Sequence, residues 1–297
     1  MLSAFRPLPV VCLLAALFVL VFPAAAAVPE APQIHAIQAP VWVRRDGRLK
    51  PLLPGQMLEA GDVVLTGPLA RAQLDLPDGS QVKLGEQAEF QVVASTVEED
   101  QGGFYSAALR VLKGAFRYTT QLIGRDRRRN IDITVGTATI GIRGTDVWGK
   151  ASTAGDMVFL IEGQIEVTMP NQAAMTMSEA MHGMMAMPDG SMQAMSASAA
   201  EFTAYAAETE MRDTGAMMMM GGDWRLVVMS LRNPARAAAI VAELNAAGYP
   251  AELESAQVRG ESWQRVVIPQ LADKQAARTL GEELRGRFGI TDYWLIR

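Results

Sequence analysis

Residues 224–228 read WRLVV, and residues 263–267 read WQRVV. A strand-like run that recurs within one short C-terminal stretch points to a repeated supersecondary unit. Each copy leads into a helix. After the first, Asn233 stands as N-cap and Pro234 as the first helical residue. Ala237, Ile240, Val241 and Leu244 then form one apolar stripe, which Gly248 ends. After the second, Asp273 is the N-cap, Ala276, Ala277, Leu280 and Leu284 form the stripe, and Gly289 ends it. Each helix is followed by an extended run, at 251–258 and 292–296. The order is βαβ–βαβ, an α+β ferredoxin-like βαββαβ unit over 223–297 with both helices on one sheet face. The other face is left bare, so it must be used or wetted.

Alternation along the second repeat places Trp263 and Arg265 together on that bare face, with Val266 and Ile268 toward the helices. Ser230, at the end of the first strand, and Trp294, on the last, join them. A flat indole covers sugar C–H surface, and a guanidinium and a hydroxyl hydrogen-bond sugar substituents, so the set suits a carbohydrate. Two rivals are tryptophans capped by the rest of the chain and an RNA-binding sheet of similar topology. Residues 223–297 carry 10 basic and 9 acidic groups, which speaks against nucleic acid. The length, the repeat, the WQRVVIP run and the C-terminal position resemble the SPOR domain family. That resemblance implies binding to peptidoglycan glycan strands stripped of stem peptides and collection at division septa. It assigns the ligand face to Ser230, Trp263, Arg265 and, more loosely, Trp294. The chain departs from the family at three positions. Val227 replaces a usual Gln, Leu231 a usual Phe, and Pro269-Gln270 the usual Gly-Pro.

Upstream, MMMMGG at 217–222 reads as a linker, and EFTAYAAETEMR at 201–212 as a short helix leading into it, so 201–222 is expected to connect two bodies. Most of the 18 methionines lie between Met169 and Met220. Met175 and Met177 alternate like a strand, and Pro188-Asp189-Gly190 is a turn, so 171–200 reads as a Met-rich terminal hairpin with Met as flexible core filler. Thioethers are also soft ligands, which raises a Cu(I) alternative at His182, Met185 and Met187.

Residues 34–170 read as many short strands. Arg71 to Leu76 (RAQLDL) alternates, Pro77-Asp78-Gly79 turns, and Gln81 to Leu84 (QVKL) returns. Further runs lie at 41–43, 62–66, 108–112, 115–119, 131–135, 139–142, 158–161 and 164–168. This spacing predicts an all-β sandwich or curled sheet over about 34–200. The pieces VWVRRDGRLKPLLPGQMLEAGDVVLTG, ARAQLDLPDGSQVKLGEQAEFQV, LRVLKGAFRYTT and ITVGTATIGIRGTDVWGK resemble the FecR-like domain family. The most specific piece is the IRGT turn, with Gly141, Arg143, Gly144 and Thr145 as its signature. The glycines would permit close approach or turning, and Arg143 would clamp neighbouring strands. The resemblance implies a periplasmic sensing module, which in its best-known members relays receptor occupancy to a cytoplasmic sigma-factor partner. Only nine residues precede the apolar run that starts at Val10, so no cytoplasmic sigma-binding segment is expected here. Binding to an envelope protein is the role expected of this domain, with a signal relay as the alternative.

The start of the chain carries Arg6, an apolar run from Val10 to Phe22 and Ala25-Ala26-Ala27. That is an export signal over 1–27 with cleavage near Ala27 and no membrane span thereafter. The single Cys12 leaves with it, so the exported body is Cys-free, as suits a bacterial periplasm. Hydrophobic residues make up 49% and charged residues 20%, so an ordered body with about two domains is expected. RDRRR at 125–129 is a solvated loop. One Cys and two His exclude a thiol-rich metal cluster and a disulfide framework. Neither His35 nor His182 sits in a nucleophile–base motif. No cofactor, no nucleic acid and no enzymatic activity are expected.

Overall fold

The computed structural model describes residues 29–98, 104–120, 129–142, 144–169 and 173–297. The expected export signal, Arg143 and most of RDRRR lie outside these residues. Among the described residues no helix is long and apolar enough to cross a membrane.

The first body is all-β, as its strand spacing predicts. Its strands are β1 (Gln33–Gln38), β2 (Val41–Arg45), β3 (Arg48–Pro51), β4 (Val63–Thr66), β5 (Arg71–Asp75), β6 (Gln81–Leu84), β7 (Glu89–Glu98), β8 (Phe104–Thr119), β9 (Arg129–Val135), β10 (Ala138–Ile142), β11 (Asp146–Ala151), β12 (Asp156–Glu162), β13 (Ile165–Thr168), β14 (Met175–Met177), β15 (His182–Ala186) and β16 (Met192–Ser196). Two sheets face each other. One runs β3-β2-β4-β7-β8-β9-β10-β13-β14. The other runs β16-β15-β12-β11-β8-β6-β5-β1.

β8 belongs to both sheets. Its first half pairs with β7 and, in parallel, with β9, while its residues from Gly114 onward pair with β11 and β6. The two runs predicted at 108–112 and 115–119 are therefore one strand. Gly114, with φ +84°, turns the strand from one sheet to the other without ending it. A Cβ there would lie 2.6 Å from the Ala88 Cα, so only glycine fits. The second half of β8 also begins the crossover that a parallel β8–β9 pair requires.

The core lies between the sheets and is filled from alternating positions such as Leu74, Val82, Leu84, Phe90, Leu109, Ile131, Ile133 and Ile140, all buried. Burying each large aliphatic or Phe side chain contributes roughly 1.5–3 kcal/mol. The predicted Pro77-Asp78-Gly79 turn joins β5 and β6. Its buried Asp78 accepts from the Ser80 N–H at 3.0 Å and hydroxyl at 2.6 Å, and Tyr118 Oη donates to Ser80 Oγ at 2.8 Å. Pro188-Asp189-Gly190 repeats this device between β15 and β16, with Asp189 accepting from the Ser191 N–H at 2.8 Å.

Residues 201–222, expected as a connector, pack on the first body through a helix, residues 208–212 and a further strand that also reaches the C-terminal body. α1 (Ala199–Ala207) is capped by Ser198 and Glu201 in a reciprocal box. Its Tyr205 stacks on Trp148 at 4.9 Å. Beyond it, Glu208 meets Lys150 at 2.8 Å, and Glu210 meets Lys83 at 2.5 Å and Arg117 at 3.0 Å. The Gln38 amide donates to the Arg212 carbonyl at 2.7 Å and accepts from its N–H at 3.0 Å. β17 (Met217–Met219) then pairs antiparallel with β1, with Ile37 opposite Met218. The same Met218 stands opposite Leu271 of the C-terminal body. The methionine run is thus a strand joining the sheets of both bodies, and Met218 is fully buried.

The C-terminal body has the predicted order: β18 (Trp224–Leu231), α2 (Pro234–Ala246), β19 (Glu252–Val258), β20 (Glu261–Leu271), α3 (Lys274–Leu284) and β21 (Trp294–Ile296). The sheet is antiparallel in the order β19-β20-β18-β21. Both predicted caps form: Asn233 accepts from the Arg236 N–H at 3.1 Å and Asp273 from the Ala276 N–H at 2.7 Å. The predicted stripes are buried, except for a half-buried Val241. α3 ends earlier than its predicted stop at Gly289. It closes at Leu284, and Gly286 already takes φ +78°. The bodies also meet at β2, where Trp42 Nε1 donates to the Ala246 carbonyl at 3.1 Å and the Val41 N–H to the Gly248 carbonyl at 3.2 Å. A Cβ on Gly248 would lie 2.6 Å from the Trp42 ring.

Candidate functional site

The face of the C-terminal sheet away from α2 and α3 is defined by register. Opposed residues of an antiparallel pair share a face. Val227 stands opposite both Val267 and Trp294, Ser230 opposite Arg265, and Ala256 opposite Trp263. A register shift between Val227 and Met229 leaves Val228 on the helix side and brings Ser230 onto the open face. All four residues predicted for a ligand face, Ser230, Trp263, Arg265 and Trp294, therefore lie on one surface. The two bodies meet elsewhere, through α2, β17 and the turn after β20.

The floor of this surface is apolar. Val227 and Val267 have no exposed surface. Arg225 pairs with Glu254 and with Glu252, the latter at 3.8 Å, on the far strand. Trp294 is 40% exposed. Trp263 is half-buried, and the Arg232 guanidinium lies over its ring at 4.9 Å while pairing with Glu261. The expected rival of a tryptophan capped by the chain is met in this limited form: the cap is one long side chain of the same domain. Trp263 Nε1 and Arg265 Nε are both buried and have no hydrogen-bond partner. A buried donor without a partner forfeits on the order of 1–3 kcal/mol. Both atoms are covered in this conformation, so a ligand reaches them only when the covering side chains, Arg232 over Trp263 among them, move aside.

Gln270 ends the face. It adopts φ +59°, and its buried Oε1 is unpartnered. A glycine is the residue that takes such a backbone without strain.

The IRGT turn sits on the first body, where the chain passes from β10 in one sheet to β11 in the other. Gly144 takes φ +71°, as a turning glycine should. Gly141 differs from expectation. A Cβ there would meet nothing nearer than 3.8 Å, so no clash demands glycine at this point of the strand. The close approach is made by Gly163 instead, whose Cβ would lie 2.4 Å from the Gly144 carbonyl oxygen. Thr145 is buried, and its N–H donates to Thr120 Oγ1 at 3.2 Å.

The trio His182, Met185 and Met187 is not brought together. Along β15, His182 and Met184 point to one side and Met185 to the other. The Met185 methyl packs where a Cβ on Gly155 would lie, 2.8 Å away. His35 makes a bond that sequence reading missed. Its Nδ1 lies 2.8 Å from Asp75 Oδ2, and this hydrogen bond raises its pKa above the ordinary 6.5. The partner lies 40 residues away across the β1–β5 pair, so no local pattern announces it. Among the described residues no cluster of three or more His, Cys, Asp or Glu forms a metal site.

Comparison with known proteins gives two domain matches. The model of the FecR protein family matches residues 62–166, and the model of the SPOR domain matches residues 221–293. No curated protein matches the chain. Two crystal structures of a candidate anti-sigma factor from Parabacteroides distasonis cover 67% of the chain. Their identities are 16% and 14%, their TM-scores are both 0.40, and the matches span 81% and 96% of those chains. A likeness that loose bears on neither the partner nor the activity of this chain. The chain joins a FecR domain, residues 62–166, to a C-terminal SPOR domain, residues 221–293.

Proposed function

We propose that the protein is a non-catalytic envelope component that docks on peptidoglycan glycan strands through the open face of its SPOR domain. The FecR domain then presents a second surface to an envelope protein. The SPOR match supports peptidoglycan as the ligand class, and the FecR match supports a periplasmic signalling-type module. The observation that carries the reading is the convergence of the Trp263 and Arg265 donors, the Ser230 hydroxyl and the exposed Trp294 ring on one sheet face. Sugar hydroxyl and acetamido oxygens accept from such donors, and the sugar's C–H face covers an indole. Residues 1–27 fit the export that this function requires, and removal of that segment would leave the chain free in the periplasm.

A sacculus pull-down of the full chain tests this reading. Binding should rise when stem peptides are removed by an amidase. It should fall at least tenfold in Trp263→Ala and in Arg265→Ala, with unchanged circular dichroism. Equal retention of both variants would overturn it.

A further inference from the structure

The open end of the β sandwich carries a second feature. β14, at the edge of one sheet, pairs with β13 so that Met175 opposes Val167 and Met177 opposes Ile165. Val167 and Ile165 are buried between the sheets, so both methionines point inward. β15, near the edge of the other sheet, pairs with β12 so that His182 opposes Leu160 and Met184 opposes Val158, again buried residues. Met192 opposes Ala186 and shares that inner face. Thioethers from two sheets and one imidazole therefore line a single groove of about 530 Å3, with Met169 at its base.

Two observations set this groove apart from ordinary core. None of the fully buried core residues before Met169 is a methionine; that space is filled by Ile, Val, Leu, Ala and aromatics. The change to methionine coincides with the end of the sandwich that stays open. In addition, one hydrogen bond sets the tautomer of His182. Its Nδ1–H donates to the Ala180 carbonyl at 3.1 Å, which leaves the lone pair on Nε2. The Glu179 carboxylate lies 3.5 Å from that Nε2, ready to offset positive charge there.

We propose that Met177, Met184, Met192 and His182 form a binding site for a soft monovalent cation, Cu(I) or Ag(I). Thioether sulfur and neutral imidazole are the protein donors that such an ion prefers over hard oxygen. Unbranched methionine arms can close on an ion that branched side chains could not reach. The site is independent of the glycan face and uses none of its residues.

The test is competition of the full chain against a chromophoric Cu(I) chelator under ascorbate. It is repeated with Met177→Leu/Met184→Leu/Met192→Leu and with a control, Met157→Leu/Met185→Leu/Met229→Leu, whose side chains lie outside the groove. Leucine nearly conserves the volume of methionine, so both variants keep the fold. One equivalent of Cu(I) is expected to be retained by the wild type and the control, and at least tenfold more weakly by the groove variant. With Ag(I) and 13C-methyl methionine, the Met177, Met184 and Met192 signals should move together at one equivalent. No retention against the chelator, or equal losses in both variants, would overturn the proposal.

Discussion

Arg232 lies across the Trp263 indole and is tied to Glu261. A cation–ring contact made by an exposed guanidinium is worth about 0.5–1 kcal/mol, so a sugar can displace Arg232 at small cost. Arg232→Ala should therefore strengthen glycan binding by up to a few-fold in an affinity titration; weakened binding would mean the guanidinium contacts the sugar. His35 makes a separate prediction. Its hydrogen bond to Asp75 raises its pKa, so the protonated form is favoured in the folded state. The stability this contributes is fully present below about 6.5, the unfolded value, and is lost as pH rises through the folded value. An NMR titration should place the His35 midpoint above 6.5, and Asp75→Asn should lower it. Trp263 and Arg265 are legible in the sequence because period-two alternation along WQRVVIP fixes their face; Ser230 follows from the family resemblance, and only the register shift after Val227 brings it there. The His35 partner and the Arg232 cap are not legible, because both depend on strands distant in the chain or on the rotamer of a long side chain.

At the scale of elements, local signals served where they had a local cause. Both helices of the C-terminal body announce themselves by cap and stripe, and Pro77-Asp78-Gly79 by its turn chemistry. β17 has no such signal. The run of four methionines and two glycines at 217–222 looks like a connector, and only pairing with β1, far upstream, makes Met217–Met219 a strand. β8 was read as two strands because glycine between apolar runs usually marks an end, whereas Gly114 turns a continuous strand. Gly114→Ala forces a Cβ to within 2.6 Å of the Ala88 Cα, and does so at φ +84°. It should lower stability by at least about 2 kcal/mol, read from the denaturation midpoint. Gln270→Gly should act the other way. Relief of a left-handed non-glycine backbone is worth about 1 kcal/mol, a rise of roughly 2–4 °C in Tm.

For the whole molecule, the folded segment 198–222 makes the two domains neighbours with a shared sheet. Ion pairs from Glu208 and Glu210, the Tyr205 stack and the β1–β17–β20 pairing all act along it. A ligand on β20 therefore bears on a strand that is also tied to the FecR domain. Replacing 214–220 by Gly and Ser should split one cooperative melting transition into two; a single unchanged transition would show that the bodies are held by the Trp42–α2 contact alone. The organisation into two domains was legible from strand spacing and the internal repeat. Their fastening was not, since it rests on pairings between residues some 180 positions apart, such as Ile37 and Met218. Under the proposed function, glycan sits on the open SPOR face where Ser230, Trp263, Arg265 and Trp294 come together. The direct measurement is an indole N–H NMR titration of the full chain with a purified peptidoglycan oligosaccharide lacking stem peptides. The account predicts that the Trp263 and Trp294 signals shift saturably while that of Trp148, buried in the first body, stays fixed. Fixed Trp263 and Trp294 signals at saturating glycan would contradict it.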